Sequence, residues 1–317
     1  GIVPKTPPER MPWMPKERYL IMRKVMEETG TLGRQMMQQT ATVQSNFDYS
    51  DEADATRKFR LAMAMAPVLV AAAANSPVAG GRPTGYRSFR AHIWLHTDPA
   101  RCGPLPLAFG CEHLFGAYTD YALDVPMYFI SRRRRFLPAP GLTFRRFMDQ
   151  GLDGHRARLQ DWVLHLGTLF PEARLKTYIE VRAPDGQGED LTLATPALMK
   201  GLLYDDDCMD AAWDLLRPWS FEQRLELQEE AARLALKAPV GRHCLGDYTR
   251  DLIAISLEGL ARQALKDASG TDESRFLEPM AEEAGSFISP ADRSIEQWEG
   301  PWGGDIDQLL ASLSQRE

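Results

Sequence analysis

Side chains suited to holding an anion recur at every second position in two separate stretches. Between Thr40 and Tyr49, the residues Thr42, Gln44, Asn46 and Asp48 share one face of a strand, and Val43, Phe47 and Tyr49 share the other with Ala41 and Ser45. Between Arg174 and Arg182, the residues Lys176, Tyr178, Glu180 and Arg182 fall on one side, and Leu175, Thr177, Ile179 and Val181 on the other. A concave sheet lined by such polar faces suits an anionic, metal-bound substrate. Alternation alone does not say which face is concave, so the same pattern also describes the solvent faces of two ordinary antiparallel strands.

Further groups with chemical potential lie between the two stretches. Arg87 and Arg90 carry guanidinium forks that match a carboxylate or a phosphate, or else form a surface arginine pair. His92 and His96 stand four apart, but neither a third ligand nor the glutamate of a zinc-binding helix accompanies them, so a zinc site is not the expected reading. Tyr128 reaches either a substrate or a buried hydrogen-bond partner. The basic runs Arg132 to Arg135 and Arg145-Arg146 read as solvated faces or as an attraction for nucleotide phosphates. Asp205, Asp206 and Asp207 most simply open the helix that carries Trp213, Leu215 and Leu216, with a metal role as the alternative.

The elements that must position these groups follow from punctuation and periodicity. A proline-rich lead-in becomes helical near Lys16, and Gly30 and Gly33 interrupt helix before Arg34 to Gln39. Ser50 is placed to cap a helix with Asp51, Glu52 and Asp54 in its opening turn, and the run to Ala74 reads as one helix kinked at Pro67. Ala79 to Thr84 is a loop, Tyr121 to Ser131 reads as a third strand, and Asp185-Gly186-Gln187-Gly188 reads as a hairpin turn. From Phe221 to the end the pattern is largely amphipathic helix, without repeats, low-complexity tracts or a catalytic motif.

Composition narrows the class. A content of 44% hydrophobic and 26% charged residues in 317 is that of a globular chain with one large core or two modest ones. A net charge of -7 argues against general nucleic-acid binding, and the longest apolar run, Leu61 to Ala74, is too short for a membrane span. No secretory signal is visible, and Gly1 in place of Met leads us to expect a fragment, a processed product or a trimmed chain. Cys102, Cys111, Cys208 and Cys244 show no metal or disulfide spacing, which reads as a reducing, cytoplasmic setting. No G-x-x-x-x-G-K-[ST] string occurs, so any nucleotide is held by something other than a P-loop.

The strings TVQSNFDYSDEADATRKFR, ANSP, GYRSFRAHIWLHTDPAR, YALDVPMYF, FPEARLKTYIEVR and GLLYDDD, in this order, resemble the plant and proteobacterial type of glutamate–cysteine ligase. The resemblance runs from Met14-Pro15-Lys16 to the Trp298-Glu299-Gly300 region. It implies an α+β fold of the glutamine-synthetase-like carboxylate–amine ligases, a curved, mainly antiparallel sheet funnel wrapped by helices. Residues 1–317 would be a single catalytic domain, the C-terminal part of a longer chain whose upstream strand supplies metal ligands. The implied reaction joins L-glutamate to L-cysteine with ATP and Mg²⁺, through a γ-glutamyl phosphate. Glu180 would bind Mg²⁺, Arg182 would neutralise phosphate charge, Gln44 and Asn46 would orient substrate or a metal-bound water, Tyr128 would reach the nucleotide, and Arg87 or Arg90 would hold an α-carboxylate. The plant members' redox-sensitive cysteine pair would fall between Phe136 and Gly151, which contains no cysteine, so a proteobacterial-like chain without that switch is expected. A glutamate ligase with another acceptor amine, or a truncated chain that keeps the fold without catalysis, are the alternatives. The resemblance leaves the oligomeric state open.

Overall fold

The computed structural model describes residues 1–314. Helices α1 (Glu17–Thr29) and α2 (Gly33–Gln39) lead to strand β1 (Ser45–Phe47), then α3 (Glu52–Ala64) and α4 (Ala66–Ala72). Asp51, not Ser50, caps α3 by accepting the Asp54 N–H, while Ser50 gives its own N–H and hydroxyl to the Asp54 carboxylate. The long run expected as one helix breaks at Met65, because Pro67 has no N–H for the ladder and fits only the first turn of a new helix. Every residue of α4 is buried, as an apolar-all-round helix must be.

A short hairpin, β2 (Val78–Ala79) and β3 (Arg82–Pro83), turns at Gly80-Gly81 and leads to α5 (Phe89–Leu95), capped by Ser88. Next come β4 (Cys102–Gly103), α6 (Leu114–Asp124), β5 (Phe129–Arg132), β6 (Arg135–Pro138), α7 (Phe144–Gln150), α8 (Leu159–Leu166), β7 (Phe170–Pro171), β8 (Ala173–Leu175) and β9 (Ile179–Val181). The remainder is α9 (Glu189–Thr192), α10 (Ala194–Leu203), α11 (Asp206–Leu216), α12 (Phe221–Leu234), β10 (Pro239–Val240), β11 (His243–Cys244), α13 (Leu245–Gln263), α14 (Glu278–Ser286), α15 (Pro290–Glu299) and α16 (Ile306–Ser314). As expected, Asp205 caps α11, taking the Cys208 N–H on its side chain.

The core centres on α3 and α4, with α12 and α13 packed against α4 and α10 laid across α13. Helices α10 and α13 cross where Gly201 meets Gly259: a Cβ on Gly201 would lie 2.2 Å from the Ser256 hydroxyl, and one on Gly259 2.0 Å from the Gly201 carbonyl. Two backbones approach this closely only if neither carries a side chain there.

The architecture is mixed helix and sheet, but the strands among the described residues do not join into one funnel. They form one three-stranded sheet, β1-β9-β8, and four two-stranded ones, of which β4-β7 is parallel. Three sequence expectations change. Arg174 to Arg182 is not one strand but a hairpin, folded at Lys176-Thr177-Tyr178 so that Arg174 pairs with Glu180. Tyr121 to Asp124 ends helix α6, so only Phe129 to Arg132 is strand. Asp185 to Gly188 is no hairpin turn: Asp185 bridges Thr42, and its carboxylate is buried, accepting from the Asn75 N–H and the Ser76 and Ser88 hydroxyls.

Candidate functional site

The three-stranded sheet has two unlike faces. Phe47, Ile179, Val181 and Ala173 are buried on the side that packs against α3 and α10. On the other side, the antiparallel register sets Asn46 opposite Glu180 and Glu180 opposite Arg174, and residues directly opposite share a face. The hairpin therefore gathers charge from both of its arms. Glu180 Oε1 accepts from Arg174 Nη2 at 2.7 Å and from Arg182 Nη1 at 2.5 Å, while Oε2 accepts from Lys176 Nζ at 2.5 Å. Burial by itself would raise the Glu180 pKa, but the bonds from Lys176 and Arg182 and the charge of Arg174 hold it below the ordinary carboxylate range.

The cations are fixed from behind. The Arg182 guanidinium lies 5.6 Å from the Trp94 ring and 5.8 Å from that of Phe170, and Arg174 Nη1 donates to the Leu169 carbonyl at 3.1 Å. Arg90, wholly buried on α5, donates to the carbonyls of Arg182 and Ala183 at 2.8 and 2.9 Å. Glu172 precedes β8, is pushed up by burial and accepts from Gln228. Beside the hairpin opens an apolar cleft of about 570 Å³, lined by Tyr49, Phe115, Tyr118, Trp162, Lys176 and Tyr178 among others.

The structure thus joins some expected site residues and separates others. Gln44 and Asn46 are exposed on or beside β1, with Asn46 across from Glu180. Asp48 turns away, to the Tyr204 hydroxyl. Arg90 is a correction: it is buried, gives its Nη atoms to backbone carbonyls and has the buried Asp185 carboxylate 3.8 Å away, so it braces the strand from within the fold. Arg87 pairs through its Nε with Asp292 on α15 at 2.8 Å, on a side chain that is 28% exposed. Tyr128 is buried beneath the Arg101 guanidinium, 3.8 Å from its ring centre, and reaches Asp98 rather than a nucleotide. In the basic runs, Arg132 is bonded to both oxygens of Asp161 and Arg145 to Asp120 and Asp124.

Mg²⁺ also fits poorly at Glu180. Both of its oxygens are taken by positive groups, whereas that ion wants about six oxygen donors in an octahedron. Three cations around one carboxylate instead favour an incoming anion, because the excess positive charge is held in a half-enclosed, poorly hydrated place. Arg174 escaped notice as a site residue because the turn contains no glycine, proline or asparagine, and an unbroken strand would carry it away from Glu180. Trp94 and Phe170 gave no signal beyond being aromatic.

The family description for glutamate-cysteine ligase family 2 (GCS2) matches residues 1–312. Among curated proteins, the chain is 41% identical over 316 residues to a chloroplastic glutamate–cysteine ligase of Arabidopsis thaliana, covering 99% of this chain and 59% of that protein. The corresponding proteins of Solanum lycopersicum and Nicotiana tabacum are each 40% identical with the same coverage. The chain therefore spans about three fifths of the length of these relatives. Their chloroplast location overturns the cytoplasmic reading, for the cysteine pattern reports only the lack of a disulfide framework and does not tell one such compartment from another.

Proposed function

Because the chain belongs to glutamate–cysteine ligase family 2, we propose that it carries the acyl-phosphate side of an ATP-dependent ligation of L-glutamate to L-cysteine, giving γ-glutamylcysteine for glutathione synthesis. The observation that carries this reading is the cluster of Arg174, Lys176 and Arg182 on Glu180. In the reaction, the γ-carboxylate oxygen of glutamate attacks the γ-phosphorus of ATP and ADP leaves; the cysteine amine then attacks the acyl carbon and phosphate leaves. The attacked ATP, the γ-carboxylate and the acyl phosphate are all anionic, negative charge moves from the phosphoryl group to the leaving oxygen, and the amine nitrogen gives up a proton as the amide forms.

Arg182 is assigned to the transferring phosphoryl oxygens, with Arg174 and Lys176 completing the positive field. Glu180 is a positioning residue that orients all three cations. Asn46 and Gln44, on the open side of the sheet, are assigned to the substrate amino acid. Mg²⁺ accompanies the ATP phosphates in this reading and is not assigned to Glu180. The scaffold is taken as of the glutamine-synthetase-like kind, with the three-stranded sheet as part of its wall and residues 1–317 as one catalytic domain.

Arg182→Met, assayed as phosphate release with glutamate and cysteine in the full-length protein, is expected to lower turnover by about 10²- to 10³-fold, the usual cost of one charge-stabilising donor. Turnover within about twofold of the parent would remove Arg182 from the reaction. Replacing cysteine by other amines in the same assay separates this reading from a ligase with another acceptor.

A further inference from the structure

Away from the sheet, helix α5 presents His92, its C-cap residue His96 follows one turn later, and α12 brings Glu229 up to them from 137 residues further along the chain than His92. One donor atom from each of the three lies within 4.8 Å of the others. His92 Nδ1 is 2.8 Å from Glu229 Oε1, and His96 Nδ1 is 2.9 Å from the His92 carbonyl. In both contacts the oxygen accepts from Nδ1, and between His92 and Glu229 a cation can take the place of that proton, so that His92 binds through Nδ1 beside the carboxylate. Glu229 is ionised: the bond from His92 holds its pKa below the ordinary carboxylate range. Its Oε2 is buried and has no hydrogen-bond partner, an orphaned charged oxygen beside two imidazoles.

We propose that His92, His96 and Glu229 form a Zn²⁺ site that staples α5 to α12. Two imidazole nitrogens and one carboxylate oxygen are the donor set of a borderline first-row cation rather than of Mg²⁺ or Ca²⁺. Three ligands leave a fourth position for water. The present spacing exceeds the edge of about 3.4 Å that a tetrahedron with bonds of about 2.1 Å requires. His96 closes that gap by side-chain rotation, because it is exposed and tied only to a carbonyl of its own helix. The sequence hid the site because its third ligand is on another helix. Tyr86, whose hydroxyl donates to Glu229 Oε1 at 3.2 Å and whose ring stacks on His92, supports both residues from the side.

The staple would act on the anion-binding sheet at one remove. Arg90, on the same helix as His92, holds the carbonyls of Arg182 and Ala183.

The test is equilibrium dialysis of the chelator-treated full chain against Zn²⁺, with Co²⁺ as a spectroscopic probe. One Zn²⁺ per chain is expected, with His96→Ala weakening it more than about a hundredfold, beyond the loss typical of an outer-sphere partner. Far-UV circular dichroism checks the fold of His96→Ala, and Glu229→Gln, which keeps shape and a hydrogen-bond acceptor, serves as the second variant with the same expected loss. The Co²⁺ form should show a four- or five-coordinate visible band without thiolate charge transfer. Affinity unchanged in both variants, or a thiolate band that reassigns the ion to a cysteine, would overturn the proposal.

Discussion

Glu180→Gln separates two roles open to the same carboxylate, counterion and metal ligand. The substitution keeps volume and one acceptor but removes the charge on which Arg174, Lys176 and Arg182 converge. Breaking one side of a buried ion pair costs about 3–5 kcal/mol. The lower end applies, because the Lys176 side chain is 34% exposed and swings into water, whereas Arg174 and Arg182, at 11% and 9%, do not. With an unfolding entropy of about 0.7 kcal/mol per kelvin for a chain of this length, a loss of about 3 kcal/mol lowers Tm by about 4–5 °C. The assay is thermal unfolding followed by near-UV circular dichroism, without Mg²⁺. Since the Glu180 pKa is held down in the folded state, its stabilisation is fully present above the unfolded carboxylate value of about 4.3 and disappears as pH falls through the folded value. The difference between parent and variant should therefore shrink in acid. Adding Arg182→Met to Glu180→Gln should restore part of the loss, since one of the unpaired cations is then gone. A Mg²⁺-free Tm within about 1 °C of the parent, with additive effects in the double variant and a raised Mg²⁺ requirement for turnover, would refute the counterion role and favour a metal ligand.

Arg182→Lys keeps the charge but not the planar fork between Trp94 and Phe170, so turnover should fall at least tenfold; phosphate release at the parental rate would show that a point charge is enough. Burial lowers the His165 pKa to about 4, and its Nε2–H donates to the Ala122 carbonyl. Between about pH 6.5 and about 4 the unfolded chain binds a proton there that the folded one rejects, so stability should fall with acid by up to about 1.4 kcal/mol per pH unit. Urea midpoints across that range should lose this slope in His165→Gln, and an unchanged slope would assign the acid sensitivity elsewhere. Cys102 is buried with its thiol pushed up to about 12, and no cysteine lies between Phe136 and Gly151. Activity should thus change little between reducing and mildly oxidising buffer; a large reversible loss traced to any cysteine pair would contradict this.

The amphipathic and capped helices were legible because their signals are local. Gly30 and Gly33 end and start helices as read, Asp205 caps α11, and the C-terminal third is helical apart from short pieces. The alternation around Glu180 was also legible, and it correctly puts Glu180 and Arg182 on the polar side. What failed was the fold-back at Lys176-Thr177-Tyr178, since a three-residue turn of β-tolerant residues looks like the middle of a strand. The fates of Arg87, Arg90 and Tyr128 were illegible for a different reason. Each is decided by a partner far along the chain: Asp292, the Arg182 and Ala183 carbonyls, and Arg101 with Asp98. Guanidinium chemistry says what such a group can hold, and only the packing says which oxygen reaches it first.

The union of β1 with β9 also sets an order of events when the chain folds. Thr42 gives its hydroxyl to the Arg182 carbonyl across a separation of 140 residues, and closing a loop that long costs about 4 kcal/mol of chain entropy before any contact offsets it. The β8-β9 hairpin needs no such search and forms on the scale of about 1–10 μs. It follows that Arg174, Lys176 and Arg182 meet Glu180 early, as a preassembled tip, while Asn46 arrives only when helices α3 to α8 have already drawn the two ends together. During synthesis β1, with Phe47 on it, waits for its partners β9 and α10 until more than a hundred further residues have emerged, which leaves this strand open to mispairing or chaperone capture in the growing chain.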